Sequence, residues 1–555
     1  MKALLIHNDN LPSKLISDFQ NTLKFNILHS KMIEEGFSFD NEVFEQIGKK
    51  IEQESYKVIF LPYSLSNNYL ELTGLRIALH IRLTPEWNHS KIPIVFIGHE
   101  TPAQIAKLSE SGNILFTSGI FTMNKFDFDS LIKQYEWIIN NWRKENDYPK
   151  LTDKEYESFL NKIKINPPGN YLSHHSIDND LALLRWSEYT GCADKIPEVK
   201  ENLQTGLYFK YEKTLNPTSD VKDSKFYLIS GEAKILLIDD EAEKGWKIFY
   251  EEFFLNSPYI KFDYLNIDFK SLKQNEITIE AEKKIIEYNP DVVLLDLRLN
   301  DTDFKNNIRP EEFTGYKILE KIKKYNRGIQ VIIITASNKV WNYKSLVELG
   351  ANGYIIKNAY SDIGEDIKNL KNTIEESISK KYLKEIFYDK ESLINKIDDS
   401  LKQIKNQLNI SYELIYNAKN ENQFAYAFIS LYNVIENINK KYISNVETLK
   451  SIKWDETSKS YNITDEEIKE NTLPEWEKFA NIYFQKWKGK NHTIVKNVYN
   501  MIKKRNGFIH NDPSIMDKTV KGKYINHDIY SKEGYISLFK LIKEIIDSYL
   551  SKTSN

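Results

Sequence analysis

Three segments of this chain occur twice, in the same order, and that repeat constrains the fold more than any other feature. KALLIHND at 2–9 parallels KILLIDDE at 234–241, and KVIFLPYSL at 57–65 parallels DVVLLDLRL at 291–299. TGLRIALHIR at 73–82 parallels TGYKILEKIK at 314–323, with four identities and two Lys/Arg exchanges. Chance could supply one such pair but hardly the ordered set, so the two blocks are expected to share one fold. Each block alternates short apolar runs with segments of helical spacing. Ala3–Ile6, Val58–Leu61, Ile94–Ile97 and Ile114–Phe116 read as buried strands in the first block. Lys234–Ile238, Phe262–Asn266, Val292–Leu295, Val331–Ile334 and Gly353–Ile356 do so in the second. The alternation predicts a parallel sheet covered by helices on both faces.

Between the blocks, 126–165 reads as helical up to the breaker Asn166-Pro167-Pro168-Gly169. The stretch to about 230 holds one helix, Asp178–Glu188, in polar sequence, and reads as a connector without chemistry of its own. After residue 380 the period becomes helical throughout, over 390–418, 421–442, 474–507 and 534–551, enough for a bundle. At 555 residues several domains are required, and the expected division is 1–125, 126–230, 231–380 and 381–555. The expected fold class is thus multidomain α/β plus all-α: two flavodoxin-like parallel-sheet domains and a C-terminal helical bundle. A formal charge of −3 leaves any basic site to be local. The single Cys192 excludes an internal disulfide, and no Cys/His cluster offers a zinc site. The start, MKALLIHNDN, is too briefly apolar for a signal peptide, and no apolar stretch approaches the ~18 residues of a membrane span. A soluble, cytoplasmic protein is expected.

In the second block the strand ends carry chemistry. Asp239 and Asp240 follow the first strand, Asp296 the third, Thr335 ends the fourth and Lys357 follows the fifth. The carboxyl ends of parallel strands converge on one crevice, so these side chains are expected to meet. Three carboxylates together call for a hard cation, and Mg²⁺ suits an all-oxygen cluster. Asp296 is then the nucleophile toward a phosphoryl group, with Lys357 and the metal neutralising the equatorial oxygens and Thr335 bonding one of them.

These residues resemble the receiver domain of two-component response regulators, with LLIDDE, VVLLDLRL, IIITAS and GANGYIIK as its signatures. The resemblance implies Asp296 as phosphoacceptor, Asp239 and Asp240 as Mg²⁺ ligands and the backbone carbonyl of Arg298 as a further ligand. It also implies Thr335, Lys357 and Tyr354 as the switch residues, and a histidine kinase or phosphotransfer protein as partner. Three features depart from the family: Asn358 and Asn300 stand where prolines are common, and the loop from Asp296 to Gly315 is long. In the first block His7 and Asn8 replace the acidic pair, Pro62 the acceptor and Gly98 the threonine, and no lysine ends the strand expected at Phe116. That block looks like a degenerate receiver kept for contacts. His7 and Asp9 read as solvated polar residues rather than metal ligands.

In the helical part, KKRNGFIHND at 503–512 stands out. Arg505, Asn506 and His510 lie near the end of a long predicted helix that Gly507 interrupts; in a continuous helix Arg505 and His510 are about 140° apart. Residues 481–510 carry seven Lys and Arg residues from Lys486 to Arg505, no acidic residue, and the aromatics Tyr483, Phe484 and Trp487. Such a patch suits an RNA backbone and unstacked bases. RNA brings its own nucleophile, the 2′-OH, so one histidine to move a proton and one arginine to hold the scissile phosphate suffice without metal. R-N-x-x-x-H in an all-helical domain is similar to the HEPN superfamily, and ISLYNVIENINKKY at 429–442 resembles a HEPN helix with Glu436 as its polar member. That resemblance implies a metal-independent endoribonuclease acting on RNA at a site shared across a homodimer; a receiver that controls such a nuclease would suit a setting in antiphage defence. The competing expectation is a phosphorelay adaptor whose helices only dimerise or bind a partner. His174-His175 reads as solvated loop, and Asp178, Asp180 and Arg185 as an exposed helix face.

Overall fold

The computed structural model of the chain describes residues 2–551 apart from 37, 125–127, 143, 146–147, 169–173, 218–227, 305–308, 337–340 and 511–528. Its first sheet joins β1 (Ala3–His7), β2 (Asn26–His29), β3 (Val58–Pro62), β4 (Ile94–Gly98) and β5 (Ile120–Asn124), all parallel, in the order β2-β1-β3-β4-β5. β1, β3 and β4 are buried along their whole length. Alternate residues feed two cores: Leu4, Ile6, Ile59 and Leu61 on one face, Ala3, Leu5, Val58 and Phe60 on the other. A two-residue antiparallel pair follows, β6 (Lys144–Glu145) with β7 (Tyr148–Pro149). The second sheet is the first again. β8 (Ala233–Ile238), β9 (Ile260–Tyr264), β10 (Val292–Leu295), β11 (Gln330–Thr335) and β12 (Gly353–Ile356) are parallel and ordered β9-β8-β10-β11-β12.

The register proves the repeat. Ala3 pairs with Val58 as Ile235 pairs with Val292, which is the offset of the two aligned sequence pairs. The close contact at the start of the following helix recurs as well. A Cβ on Gly74 would lie 2.0 Å from the Pro62 carbonyl oxygen, and one on Gly315 would lie 2.2 Å from that of Asp296. Glycine is required at both positions because the helix backbone abuts the strand end.

Some expectations fail in the first block and its continuation. Ile114–Phe116 belongs to a 3₁₀ turn, Glu110–Phe116, and the fifth strand is β5. A short apolar run cannot by itself separate strand from buried turn, and Gly112, whose Cβ would meet the Ala106 Cα at 2.6 Å, lets this turn pack down. β2 escaped notice because it is a four-residue edge strand with one buried residue. The region 126–165 is two helices, Phe128–Asn141 and Asp153–Lys162, with β6 and β7 between them.

The connector is structural rather than loose. Its helix His174–Thr190 lies on the second unit, where Ile177, Leu181 and Trp186 share a core with Ile235, Leu237 and Trp246. Its helix Leu207–Leu215 sends Leu207 into the core of the first. Asp180 and Arg185, expected on an exposed face, are 7% and 9% exposed, and Asp178 is half-buried. His174 and His175 open the helix; their side chains lie outside the described residues.

The C-terminal part holds helices Tyr382–Lys396, Lys402–Tyr416, Glu421–Tyr442, Glu475–Asn481, His492–His510 and Lys532–Tyr549 around one core. The stretch 390–418 is thus broken near Ile397, and 474–507 between Trp487 and Asn491. A hairpin, β13 (Lys450–Asp455) with β14 (Ser460–Glu467), interrupts what was expected to be all-helical. The bundle meets the second sheet at the amino ends of its strands. There Lys384 pairs with Asp291 at 2.8 Å, Asn326 donates to the Lys384 carbonyl and Arg327 pairs with Glu413.

Candidate phosphoryl-acceptor site

Because all five strands of the second sheet run one way, Asp239, Asp240, Asp296, Thr335 and Lys357 emerge at one edge, and the structure brings them together. One carboxylate oxygen from each of Asp239, Asp240 and Asp296 lies within 4.8 Å of the others. Lys357 Nζ donates to Asp239 Oδ2 at 2.6 Å and to Asp296 Oδ2 at 3.3 Å. The other oxygen of Asp296, Oδ1, accepts the backbone N–H groups of Leu297 (2.6 Å) and Arg298 (3.3 Å). The carboxylate is therefore held with a defined face toward the lysine. Thr335 is fully buried, and Tyr354, on β12, is partly buried with its phenol pushed up to about 12 by burial and by Asp296.

The electrostatics are those of a crowded acidic pocket. Burial works against the Lys357 charge, but Asp239 and Asp296 outweigh it and its pKa is raised. Burial and the neighbouring carboxylates raise Asp239, and they raise Asp240 well above the usual carboxylate range. A divalent cation would relieve that repulsion, and the all-oxygen donor set fits a hard one. Among the described residues no other group of three His, Cys, Asp or Glu side chains comes within metal-ligand reach.

Four contributors escaped the sequence reading. The Trp246 ring lies 4.5 Å from Lys357 Nζ, and Trp186 of the connector packs edge-on against Trp246 at 5.6 Å. Arg185 donates to the carbonyl of Ala359, two residues beyond Lys357. Asp303, 1% exposed, organises the long loop after Asp296. Trp246, Trp186 and Arg185 act on residues distant in sequence, and Asp303 ties its neighbours Leu299 and Asn300 to Thr314 and Gln274. At the departures from the family, Asn side chains build the turns: Asn358 accepts from Tyr360 N–H and Asn300 from Thr302 N–H.

The same edge of the first sheet is closed. A Cβ on Gly98 would lie 2.2 Å from the Tyr63 ring, which fills the place of the threonine and stacks on Phe96. Asn8 donates to the Leu65 carbonyl. His7, expected to be solvated, is 5% exposed, while Asp9 pairs with His29 at 3.0 Å. One expectation is corrected by register: Gly98 pairs with Asn124 as Thr335 pairs with Ile356. The counterpart of Lys357 is therefore position 125, which is a lysine; Lys125 lies outside the described residues.

In the bundle, Arg505 reaches Glu436 at 3.1 Å and Asn506 Oδ1 at 3.1 Å, with its guanidinium 5.7 Å from the Tyr432 ring centroid. The helix runs unbroken through Gly507 to His510, whose side chain lies outside the described residues. The neighbouring aromatics are not free for bases: Tyr483 is buried, and Trp487 stacks on Tyr549 at 5.1 Å.

Residues 10–123 match the family model of the inactive receiver domain, and residues 269–366 that of the response regulator receiver domain. The second match contains Asp296, Thr335 and Lys357 and begins beyond Asp239 and Asp240, whose place rests on the geometry above. The two matched units are accordingly receiver-type domains, the first of the inactive kind. Several solved structures are similar. A two-component response regulator of the LuxR family from Aurantimonas sp. SI85-9A1 is 19% identical, over 28% of this chain and 99% of its own, with a TM-score of 0.19. The signal receiver domain of a modulated diguanylate cyclase from Desulfovibrio desulfuricans G20 is 18% identical, over 28% and 98%, with a TM-score of 0.19. NtrX from Brucella abortus in complex with ADP is 20% identical, over 29% and 30%, with a TM-score of 0.20. No curated protein matches the chain.

Proposed function

We propose that this protein is a phosphorylation-controlled effector: Asp296 accepts a phosphoryl group from a histidine kinase or phosphotransfer protein, and the C-terminal bundle delivers the output. The observation that carries this is the Asp296 carboxylate held between two backbone N–H groups and Lys357, beside Asp239 and Asp240. Asp239, Asp240, Asp296 and the Arg298 carbonyl would hold Mg²⁺, which supplies charge neutralisation for the incoming phosphoryl group. Lys357 already faces Asp296 and would pair with a phosphoryl oxygen; Thr335 and Tyr354 would carry the change outward. The working units are 1–125, 126–230, 231–380 and 381–555.

For the bundle, the leading reading is a HEPN-like, metal-independent endoribonuclease acting as a homodimer, with Arg505, Asn506 and His510 at its site and antiphage defence as its setting. It is supported by Arg505 meeting Glu436, which join two segments singled out for one family resemblance. The adaptor reading is favoured by a different observation, the packing of Tyr483 and Trp487 into the bundle rather than toward a ligand. One experiment separates them. The purified chain is treated with acetyl phosphate and Mg²⁺, checked for phosphoryl uptake by intact mass, and incubated with labelled total RNA. Metal-resistant cleavage that leaves 2′,3′-cyclic ends and is lost in His510→Ala supports the nuclease. RNA left intact by phosphorylated and unphosphorylated protein alike makes the adaptor the better reading.

A further inference from the structure

The loop between Asp296 and Gly315 is anchored on one buried carboxylate. Asp303 Oδ2 accepts the backbone N–H groups of Leu299 (2.9 Å) and Asn300 (3.1 Å), where the loop leaves the site. Its Oδ1 accepts that of Thr314 (3.1 Å), where the loop returns, and the Gln274 amide at 3.2 Å. The first unit shows what this replaces. There Leu65, the counterpart of Leu299, donates its N–H directly to the hydroxyl of Thr73, the counterpart of Thr314, at 2.8 Å. Eight positions separate Leu65 from Thr73 and fifteen separate Leu299 from Thr314. The longer excursion moves the threonine out of this bond, and Asp303 takes the vacated place.

The N–H of Leu299 belongs to the same peptide group as the carbonyl of Arg298. A trans peptide is planar, with N–H and C=O pointing in opposite directions, so fixing one end aims the other. A carboxylate on the N–H also polarises that peptide, adding negative charge to the carbonyl oxygen. We propose that Asp303 is a positioning residue for the acceptor site: through the Arg298–Leu299 peptide it orients and strengthens the Arg298 carbonyl as a ligand for the divalent cation beside Asp296. This rests on the reading of Asp296, Asp239 and Asp240 as a cation-dependent acceptor site.

The test uses the full chain, with Mg²⁺ alone as the probe in calorimetric titration and phosphoryl uptake from acetyl phosphate measured separately. Asp303→Asn places an amide NH₂ against backbone donors. It is expected to raise the half-saturating Mg²⁺ concentration about tenfold or more, the usual effect of losing an outer partner of a metal ligand, while uptake recovers at raised Mg²⁺. Thr314→Pro is the second variant. It keeps Asp303, removes one returning N–H at the first helical position, where proline is tolerated, and is expected to weaken Mg²⁺ a few-fold. A folded Asp303→Asn protein with wild-type Mg²⁺ affinity overturns the proposal, even if its Tm falls. Should Asp303→Asn not fold, unchanged Mg²⁺ affinity in Thr314→Pro overturns it equally. Wild-type protein that neither binds Mg²⁺ nor takes up phosphate defeats the reading of the site instead.

Discussion

The two receiver-type units keep the same skeleton and part company at the ends of their strands. Shared features are backbone devices: the strand register, the glycine against the third strand's end, and a buried cation closing the helix that follows. Arg82 donates to the carbonyls of Ile92 (2.5 Å), Ser90 and Gly119. Lys323 donates to the equivalent carbonyl of Ile329 (2.6 Å) and to Asn352 Oδ1. What differs is the set of side chains at the strand ends. His7 closes β1 and Pro62 closes β3, both still in register with the neighbouring strand, and Asn8 follows. Strand pairing is made by the backbone, so carboxylates can give way to His7, Asn8 and Pro62 with the sheet kept. The lesson is that an inactive unit of this kind loses its chemistry cheaply, while a buried cation that satisfies three carbonyls cannot be dropped without leaving them unpaired.

The sharpest test of the contrast is at the acceptor. Asp296→Asn should abolish uptake from acetyl phosphate, while Asp9→Asn should leave it at the wild-type level. Phosphate retained on Asp296→Asn protein would erase the functional difference between the units. The common skeleton can be challenged next. Arg82→Met and Lys323→Met each strand buried carbonyls and should cost about 1–3 kcal/mol in denaturant unfolding. Their effects should add in the double variant, since the two cores are separate. The exchanges Arg82→Lys and Lys323→Arg should cost less. If one Met variant unfolds like wild type, the cations are not equivalent. The smallest effect concerns the closed site. Gly98→Thr restores the threonine type but drives its Cβ into the Tyr63 ring, an overpacking worth about 1–3 kcal/mol that rotation of the ring can partly relieve. Tyr63→Ala should cost less in the Gly98→Thr chain than in the wild type, because the threonine fills part of the space the ring leaves. Full stability in Gly98→Thr alone would mean that Tyr63 does not fill the site.

Much of this architecture was legible because its signals are local. Apolar runs such as Ile235–Ile238 and Val292–Leu295 mark buried parallel strands, and the ordered repeat doubles the evidence for each. The acceptor cluster was legible for the same reason: once strands are placed and run in parallel, their carboxyl ends share an edge, so Asp239, Asp240, Asp296, Thr335 and Lys357 must converge. Failures fell where local pattern is ambiguous. Ile114–Phe116 is as apolar as a strand yet turns as a 3₁₀ helix, and Asn26–His29 pairs at an edge with little apolar pattern to show for it.

The sequence alone determined the two parallel-sheet units, their order, the acidic cluster at the strand ends of one and its replacement in the other, all properties of short segments and the repeat between them. Only the tertiary structure decided that Trp246 lies under Lys357, that Arg185 crosses from the connector to the Ala359 carbonyl, that Tyr63 fills the first unit's site and that Asp303 holds both ends of a loop. It also decided that Tyr483 serves the core rather than a ligand. Each of these contacts joins groups whose approach depends on how whole elements pack, and burial, not residue type, sets what a tryptophan, an arginine or an aspartate does there.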